Sequence, residues 1–477
     1  MRITEAPIQS AELTQFLNTF MARSNLRIQE VEQQKDLLQV RTSIFTDLRG
    51  KLSKLERLAD GLAQTGGLSH FRAKNALSSD DSVVSAVVTS QAVAVSHSIH
   101  VEQLARAHSV ISGRYSEAGT EISSANTGTK NFTISVDGND YNVAVDIQAG
   151  QTNDEVLDAV ALAINSVSAL PARATNVGDT DTTNKLSIIS ANVGTANKMT
   201  FTDTDGLLAS LGVTNNAAAT DTIGGYVYAD LGSNELDAIF TLDGVRVVRS
   251  SNTLDDVMAG TTLQLHAQQQ PSDADVNLDV SLDIDAVKAK VEEFLEAYND
   301  VRSYLSGKVH VNPETFARGD LANNATYRGL LANLRGAVNG TVLSNNDPTM
   351  IALHQIGIRI NSSGAATISD SAQFEEALAD NLDAVEGLFS AADGIAVQLN
   401  AVVEPFIKGD GGHPSILANS RESIRRQTET LDNRIQRLEF LQELERERLI
   451  QQYGAIQEAQ AATAGLFAMI NAISASL

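Results

Sequence analysis

The sequence predicts an α+β multidomain protein, with terminal helices forming a coiled-coil tail and helical leg and β-rich antiparallel head domains inserted between them. Three observations predict it. Apolar residues recur at heptad spacing through both ends of the chain. The middle switches to short β-patterned runs separated by Asp-Gly turns. At 477 residues the chain is too long for one ordinary core.

The first element is a helix over residues 8–62, uninterrupted by proline after Pro7 and holding only Gly50 and Gly61. One heptad column runs Leu17, Ser24, Val31, Leu38, Phe45, Leu52, Ala59. A second runs Leu13, Phe20, Arg27, Gln34, Arg41, Leu48, Leu55, Leu62, apolar at both ends and polar between.

Residues 76–284 are rich in Ser, Thr, Asn, Asp, Gly and Val. Strand patterns recur at 92–104, 131–138, 141–147, 185–191, 238–250 and 261–267, with turns at Asp137-Gly138 and Asp243-Gly244. One amphipathic helix, DEVLDAVALAINSV, covers 154–167. FTISVDG and the helix after it are echoed from Phe240 by FTLDGVRVVRSSNTLDDVMAG, which predicts two small β-rich units, each a hairpin followed by a capped acidic helix. Residues 168–237 are expected to carry long surface loops.

Helix returns from residue 284, where Val287, Val291, Leu295, Tyr298, Val301 and Leu305 repeat at spacings of three and four. A second helix is predicted over 326–342, a strand pair at 356–361 and 366–369, and helices at 374–389 and 395–407. The last helix runs from about Leu417 to Leu477. Its columns are Leu417, Ile424, Leu431, Leu438, Glu445, Gln452, Ala459, Leu466, Ile473 and Arg421, Thr428, Ile435, Gln442, Leu449, Ile456, Thr463, Ile470, Leu477.

The domain boundaries that follow are 1–44 for the first tail strand, 45–75 for the first part of the leg and 76–112 for the first part of the head. An inserted outer head domain takes 113–237, the head resumes at 238–284, the leg at 285–440, and the second tail strand is 441–477.

Composition excludes several function classes. The net charge is −24, from 59 acidic and 35 basic residues, which argues against nucleic-acid binding. Residues 76–284 hold 26 acids and 8 bases, whereas residues 1–60 are close to neutral. There is no cysteine, so disulfides, thiolate metal sites and cysteine nucleophiles are out. No run is long and apolar enough for a membrane span, and no cleaved signal peptide is visible at the N-terminus.

Catalytic motifs are missing from the sequence: no phosphate loop, no HExxH, no GxSxG and no dinucleotide fingerprint. His97 and His100 alternate across a predicted strand and cannot converge with His108 on a metal. The DTDG at 203–206 has Thr214 where a calcium loop needs a glutamate. Asp179/Asp181 and Asp203/Asp205 read as solvated charge, and GDGGHP (409–414) as a turn. No cofactor, no metal and no enzymatic activity are expected.

Several segments together resemble the flagellar capping protein family, also called flagellar hook-associated protein 2. They are FRAKNALSSDDSVVSAVV (71–88) with SHSIHVEQLARAHSV (96–110), FTLDGVRVVRSSNTLDDVMAGTTLQL (240–265) and AVKAKVEEFLEAYNDV (286–301). To these are added LHQIGIRINSSGAATISD (353–370), VEGLFSAADGIA (385–396) and LDNRIQRLEFLQELERERLIQQYGAIQEA (431–459). Residues 132–165 resemble the small repeat of exposed flagellin regions. The matches keep family order over most of 45–460.

The resemblance implies a ring-like homo-oligomeric cap at the distal tip of the bacterial flagellar filament, under which flagellin monomers fold and insert. It implies flagellin and hook–filament junction proteins as partners, and a cytoplasmic export chaperone on the C-terminal helix. Export through the flagellar type III apparatus fits the missing signal peptide. A host mucin or glycan is a further partner for the head. The alternatives are a surface adhesin for such glycans, or another axial flagellar protein.

Two expectations concern the tail. Leu13, Leu17, Phe20, Leu466, Ile470 and Ile473 are the residues expected to insert into the filament, ordinary intramolecular packing being the other reading. If the ends pair antiparallel, Arg41 is expected near Glu445 or Glu443, setting register while weakening the coil. The plainer reading puts both on a solvated side.

Overall fold

The computed structural model describes residues 11–228, 234–410 and 412–474. The predicted helix start at residue 8 and the end at Leu477 lie outside the described residues. The chain divides into two compact units. One comprises residues up to 65, 69–71 and 287 onward, and the other 66–68 and 72–286.

The first unit begins with α1 (Ala11–Ala63), a helix of 53 residues. The second unit is mostly strand. It opens with β1 (Lys74–Ser78), β2 (Val84–Val88), β3 (Ser96–Gln103), β4 (Ala107–Ile111) and β5 (Tyr115–Ser116). Then come α2 (Glu121–Asn126), the hairpin β6 (Gly128–Val136) and β7 (Asn139–Ile147), and α3 (Asn153–Ser166). β8 (Ala172–Thr180), β9 (Thr183–Val193), β10 (Thr200–Asp203), α4 (Leu207–Ser210) and β11 (Gly225–Tyr226) follow. The hairpins β12 (Ala238–Leu242) with β13 (Val245–Arg249) and β14 (Thr253–Met258) with β15 (Thr261–Leu265), then β16 (Val276–Leu282), complete it.

This unit has two cores. The sheets β1-β16-β3-β12-β13 and β14-β15-β2 bury Ile99, Val101, Phe240, Leu254, Leu263 and Leu278. The second core, drawn from residues 110–213, lies among β10-β6-β7, β11-β4-β9-β5 with β8 on β9, and α3. Alternation builds it: Phe132, Ile134 and Val136 of β6 face inward while their neighbours do not. At both Asp-Gly turns the two central residues have positive φ, 48° and 73° at Asp137-Gly138 and 51° and 80° at Asp243-Gly244. That backbone suits the strand twist of a two-residue hairpin. Thr152 and Glu155 close a capping box on α3, each side chain accepting from the other's backbone N–H.

Two predicted elements are corrected. TLDDVM forms β14, not a second capped helix. Met258 pairs with Thr261, leaving Ala259-Gly260 as a two-residue turn with Gly260 at φ 70°, and Leu254 enters the first core. The sequence echo is therefore of hairpins only. Residues 168–237 carry a long loop at 211–224, as expected, beside the paired strands β8 and β9. The single helix predicted at 374–389 is two, because Asn381 ends the first and its side chain accepts from Ala384 N–H to cap the second.

The first unit resumes with α5 (Ile284–Val309), α6 (Ala325–Asn339), β17 (Ile358–Ile360), β18 (Ala366–Ile368), α7 (Ser371–Asp380), α8 (Leu382–Ser390), α9 (Ile395–Ile407) and α10 (Ile416–Ser474). The predicted α5 stripe, Val287 to Leu305, is buried throughout. The distal half of α1 contributes Leu48, Leu52, Leu55, Ala59 and Leu62 to the same core and packs on α8 and α9. Phe45 stacks on Tyr327 at 5.4 Å between ring centroids, and Phe294 meets Phe389 edge-on at 6.1 Å.

Candidate functional site: the paired terminal helices

The proximal half of α1 packs along α10 in antiparallel sense. Lys35 Nζ lies 2.6 Å from Asp432 Oδ1, and the Gln442 side-chain amide donates to Asn25 Oδ1. In both pairs the residue numbers total 467, so one register holds along the coil. The hydrogen bond from Lys35 to Asp432, with the carboxylate's charge, holds the Lys35 pKa above its ordinary value.

Burial along α1 follows the first predicted column closely. Leu17 and Ser24 are half-buried, and Val31, Leu38, Phe45, Leu52 and Ala59 are buried. The second column is displaced. Phe20, Arg27, Gln34 and Arg41 are exposed, and Met21, Ile28, Lys35 and Thr42, one residue later, take the seam. Beyond Thr42 the predicted column resumes at Leu48. The column resumes where α1 leaves the two-helix coil, with Phe45 stacked on Tyr327 and the distal half packed on α8 and α9. Sequence periodicity averages over this change and cannot locate it.

On α10, Leu417 and Ile424 are buried, Thr428, Leu431, Ile435, Leu438 and Gln442 half-buried, and Leu449 and Tyr453 buried. The coil is thus sealed at both ends and looser in the middle. Arg41 and Glu445 are not brought together. Their numbers total 486, nineteen out of step with the register set by Lys35–Asp432, or about 28 Å along a helix. Glu445 instead lies 3.6 Å from Arg448 on its own helix, and Glu443 3.2 Å from Arg446. Both Arg41 and Glu445 are exposed. The residues that do set register, Lys35 and Asp432, went unselected because they belong to neither predicted column.

The six residues selected for filament insertion fall into different environments. Leu13 is buried against the coil and Leu17 half-buried. Phe20 is 57% exposed, Leu466 60% and Ile470 56%. The side chain of Ile473 lies outside the described residues. From Ala455 to Asn471 every residue of α10 is exposed, including Ile456 of the second column and Phe467 and Met469, which belong to neither. Among the described residues no helix is long and apolar enough to cross a membrane.

The groups considered for other chemistry have structural partners. His97 Nδ1 lies 2.8 Å from Asp243 and His100 Nδ1 3.2 Å from Asp275, on separate carboxylates. His108 is buried, its Nδ1 accepting from Met199 N–H at 3.0 Å, and burial with nearby Lys198 lowers its pKa to about 4. Among the described residues no His, Asp and Glu cluster could hold a metal. Asp179 accepts from Thr183 and from Arg114, both at 2.6 Å, which holds its carboxyl below the usual range. Asp205 accepts from Asn131 N–H at 2.7 Å, and Asp203 from Ala209 N–H at 2.6 Å.

Comparison with known proteins gives these helices a context. The family model described as the flagellar hook-associated protein 2 N-terminus matches residues 10–108, and that for the C-terminus matches residues 236–464. The lateral flagellar hook-associated protein 2 of Vibrio parahaemolyticus is 24% identical over 393 residues, covering 80% of this chain and 82% of that protein. The flagellar hook-associated protein 2 of Campylobacter jejuni is 26% identical over 396 residues, covering 75% of this chain and 58% of that one. The fold is similar to a crystal structure of the Escherichia coli flagellar cap protein, with a TM-score of 0.62 at 22% identity, covering 80% of this chain and 99% of the other. The two family matches include α1, the first core of the second unit, α5 to α9 and α10 as far as residue 464, and the chain belongs to the flagellar hook-associated protein 2 family, the cap proteins of the flagellar filament.

Proposed function

We propose that this chain caps the growing filament as a ring of identical subunits, with the exposed end of α10 as the part that engages the filament tip. The observation that carries this is the apolar run past the coil. Leu466, Phe467, Met469 and Ile470 are all more than half exposed on a helix whose preceding turns are packed against α1. A helix end of this kind gains stability chiefly by burying its apolar side chains on a partner. Flagellin and the hook–filament junction proteins are the partners this reading assigns. Before export the same surface needs cover, which an export chaperone on α10 supplies, and passage through the flagellar type III apparatus requires no cleaved signal.

The test is genetic. Deleting the gene in the source organism is expected to leave hooks without filaments and to release flagellin monomer into the medium. Added full-length protein restores filaments. Protein carrying Leu466→Ser and Ile470→Ser is expected to fold normally and fail to restore them. Normal filaments in the deletion strain would overturn the proposal.

A further inference from the structure

Arg302 of α5 and Arg335 of α6 converge on one turn, residues 361–365 between β17 and β18. Arg302 Nη1 donates to the Ser363 carbonyl at 2.7 Å, and Arg335 Nη2 donates to the same oxygen at 3.4 Å. Two guanidinium groups therefore stand within about 6 Å of each other at the surface. Neither makes an ion pair among the described residues, and in both the Nε–H is buried without a hydrogen-bond partner.

The elements that carry the pair hold the turn firmly. The Tyr298 hydroxyl, on a fully buried side chain, donates to the Gly364 carbonyl at 3.0 Å. The Asn299 side-chain amide donates to the Ala366 carbonyl at 2.7 Å and accepts from Ala366 N–H at 2.9 Å. Asn361 Oδ1 accepts from the N–H groups of Ser363 and Ala365, both at 3.0 Å. Gly364 has φ 87°, and a Cβ there would stand 3.2 Å from Arg335 Nε, so glycine lets the guanidinium lie against the turn.

The surroundings supply no counter-charge. α6 and the stretch from β17 through β18 contain no acidic residue, and they carry Arg328 and Arg359 besides. On α5 the residues one turn from Arg302 are Tyr298, Asn299, Leu305 and Ser306, and Asp300 is held by Lys51 at 2.6 Å. In a chain of net charge −24 this is an island of positive charge. One arginine would suffice to brace the Ser363 carbonyl. A second beside it adds repulsion between like charges.

We propose that Arg302 and Arg335 form a binding site for an oxyanion, a carboxylate or phosphate group whose oxygens are shared between the two forks. A guanidinium carries five N–H donors in one plane, and the bond to Ser363 uses a single donor of each. Anions with two or more oxygens match that geometry, and their charge offsets the repulsion. The group is either a free ion or an acidic side chain of a second copy of this chain. The site does not involve the exposed end of α10 and goes beyond the capping role without depending on it.

The probe is inorganic phosphate, titrated into the full-length chain against chloride of equal ionic strength and followed by phosphorus NMR line width. Binding is expected in the millimolar range, and roughly tenfold or more weaker in Arg302→Gln and in Arg335→Gln. Arg359→Gln removes the same charge from an exposed position of β17 and is expected to change binding less than about twofold. Arg302→Lys keeps the charge, loses the fork and is expected to fall between, which covers the case in which a Gln variant is unfolded by circular dichroism. Light scattering separates the two sources. Phosphate that weakens association between copies of the parent chain marks a carboxylate of a second copy as the occupant, and phosphate that binds without changing association marks a free ion. No binding by the parent chain, or equal binding by the parent and the folded Arg302 and Arg335 variants, would overturn the proposal.

Discussion

Lys35 of α1 and Asp432 of α10 meet at 2.6 Å in the middle of the two-helix tail, between the buried Val31 and Leu38 of α1 and the half-buried Leu431 and Ile435 of α10. An ion pair at a seam position gains little net energy but penalises every other alignment, because a slip leaves a charge facing apolar side chains.

Reversing either charge, Lys35→Asp or Asp432→Lys, is therefore expected to lower the thermal midpoint of the tail, and combining the two to recover most of it. Helical circular dichroism during melting checks this. The Lys35 pKa is raised in the folded chain, so its contribution is fully present below the ordinary lysine pKa of 10.5 and is lost as pH rises through the folded value.

Arg41 and Glu445 supply the contrast. They are exposed and out of register, so Arg41→Glu and Glu445→Arg are expected to add within about 0.5 kcal/mol in a double-mutant cycle. A coupling well beyond that would mean that the tail adopts a second register.

The two stretches of α10 are expected to separate stability from capping. Leu449 is 5% exposed, and Leu449→Ala is expected to cost about 2–3 kcal/mol by denaturant unfolding. Met469→Ser, at a position 68% exposed, is expected to change stability by no more than about 0.5 kcal/mol while reducing filament restoration in the deletion strain.

His108 makes the second unit acid-sensitive. Its folded pKa is lowered to about 4 by burial and by Lys198, against an ordinary 6.5. The unfolded chain therefore takes up the proton first, and stability falls as pH drops from about 6.5 toward 4. His108→Gln, which keeps a side-chain group for Met199 N–H, is expected to flatten that part of the profile. Chemical denaturation at pH 7 and pH 5 measures the difference.

Much of the architecture was legible in the residues. Heptad spacing marked α1 and α10, alternation marked β6 and β7, Asp-Gly marked two hairpins, and the stripe from Val287 to Leu305 marked α5. These are local patterns, set by the repeat of a helix or strand. TLDDVM failed because a helix-like acidic pattern gave way to a two-residue turn at Gly260 and to the demand of the core for Leu254. Asn381 was missed because one side chain both stops a helix and starts the next.

By itself the sequence determined that the ends are helical and apolar-striped, that the middle is acidic antiparallel sheet, and that the segment order is that of flagellar caps. Only the tertiary structure decided which residues face each other across the tail. Register depends on the sum of contacts over two helices that are far apart in the chain, and a heptad repeat by itself does not say which turn meets which. The polar pairs Lys35–Asp432 and Asn25–Gln442 select one alignment. That choice fixes what is left outside the coil: the bare end of α10.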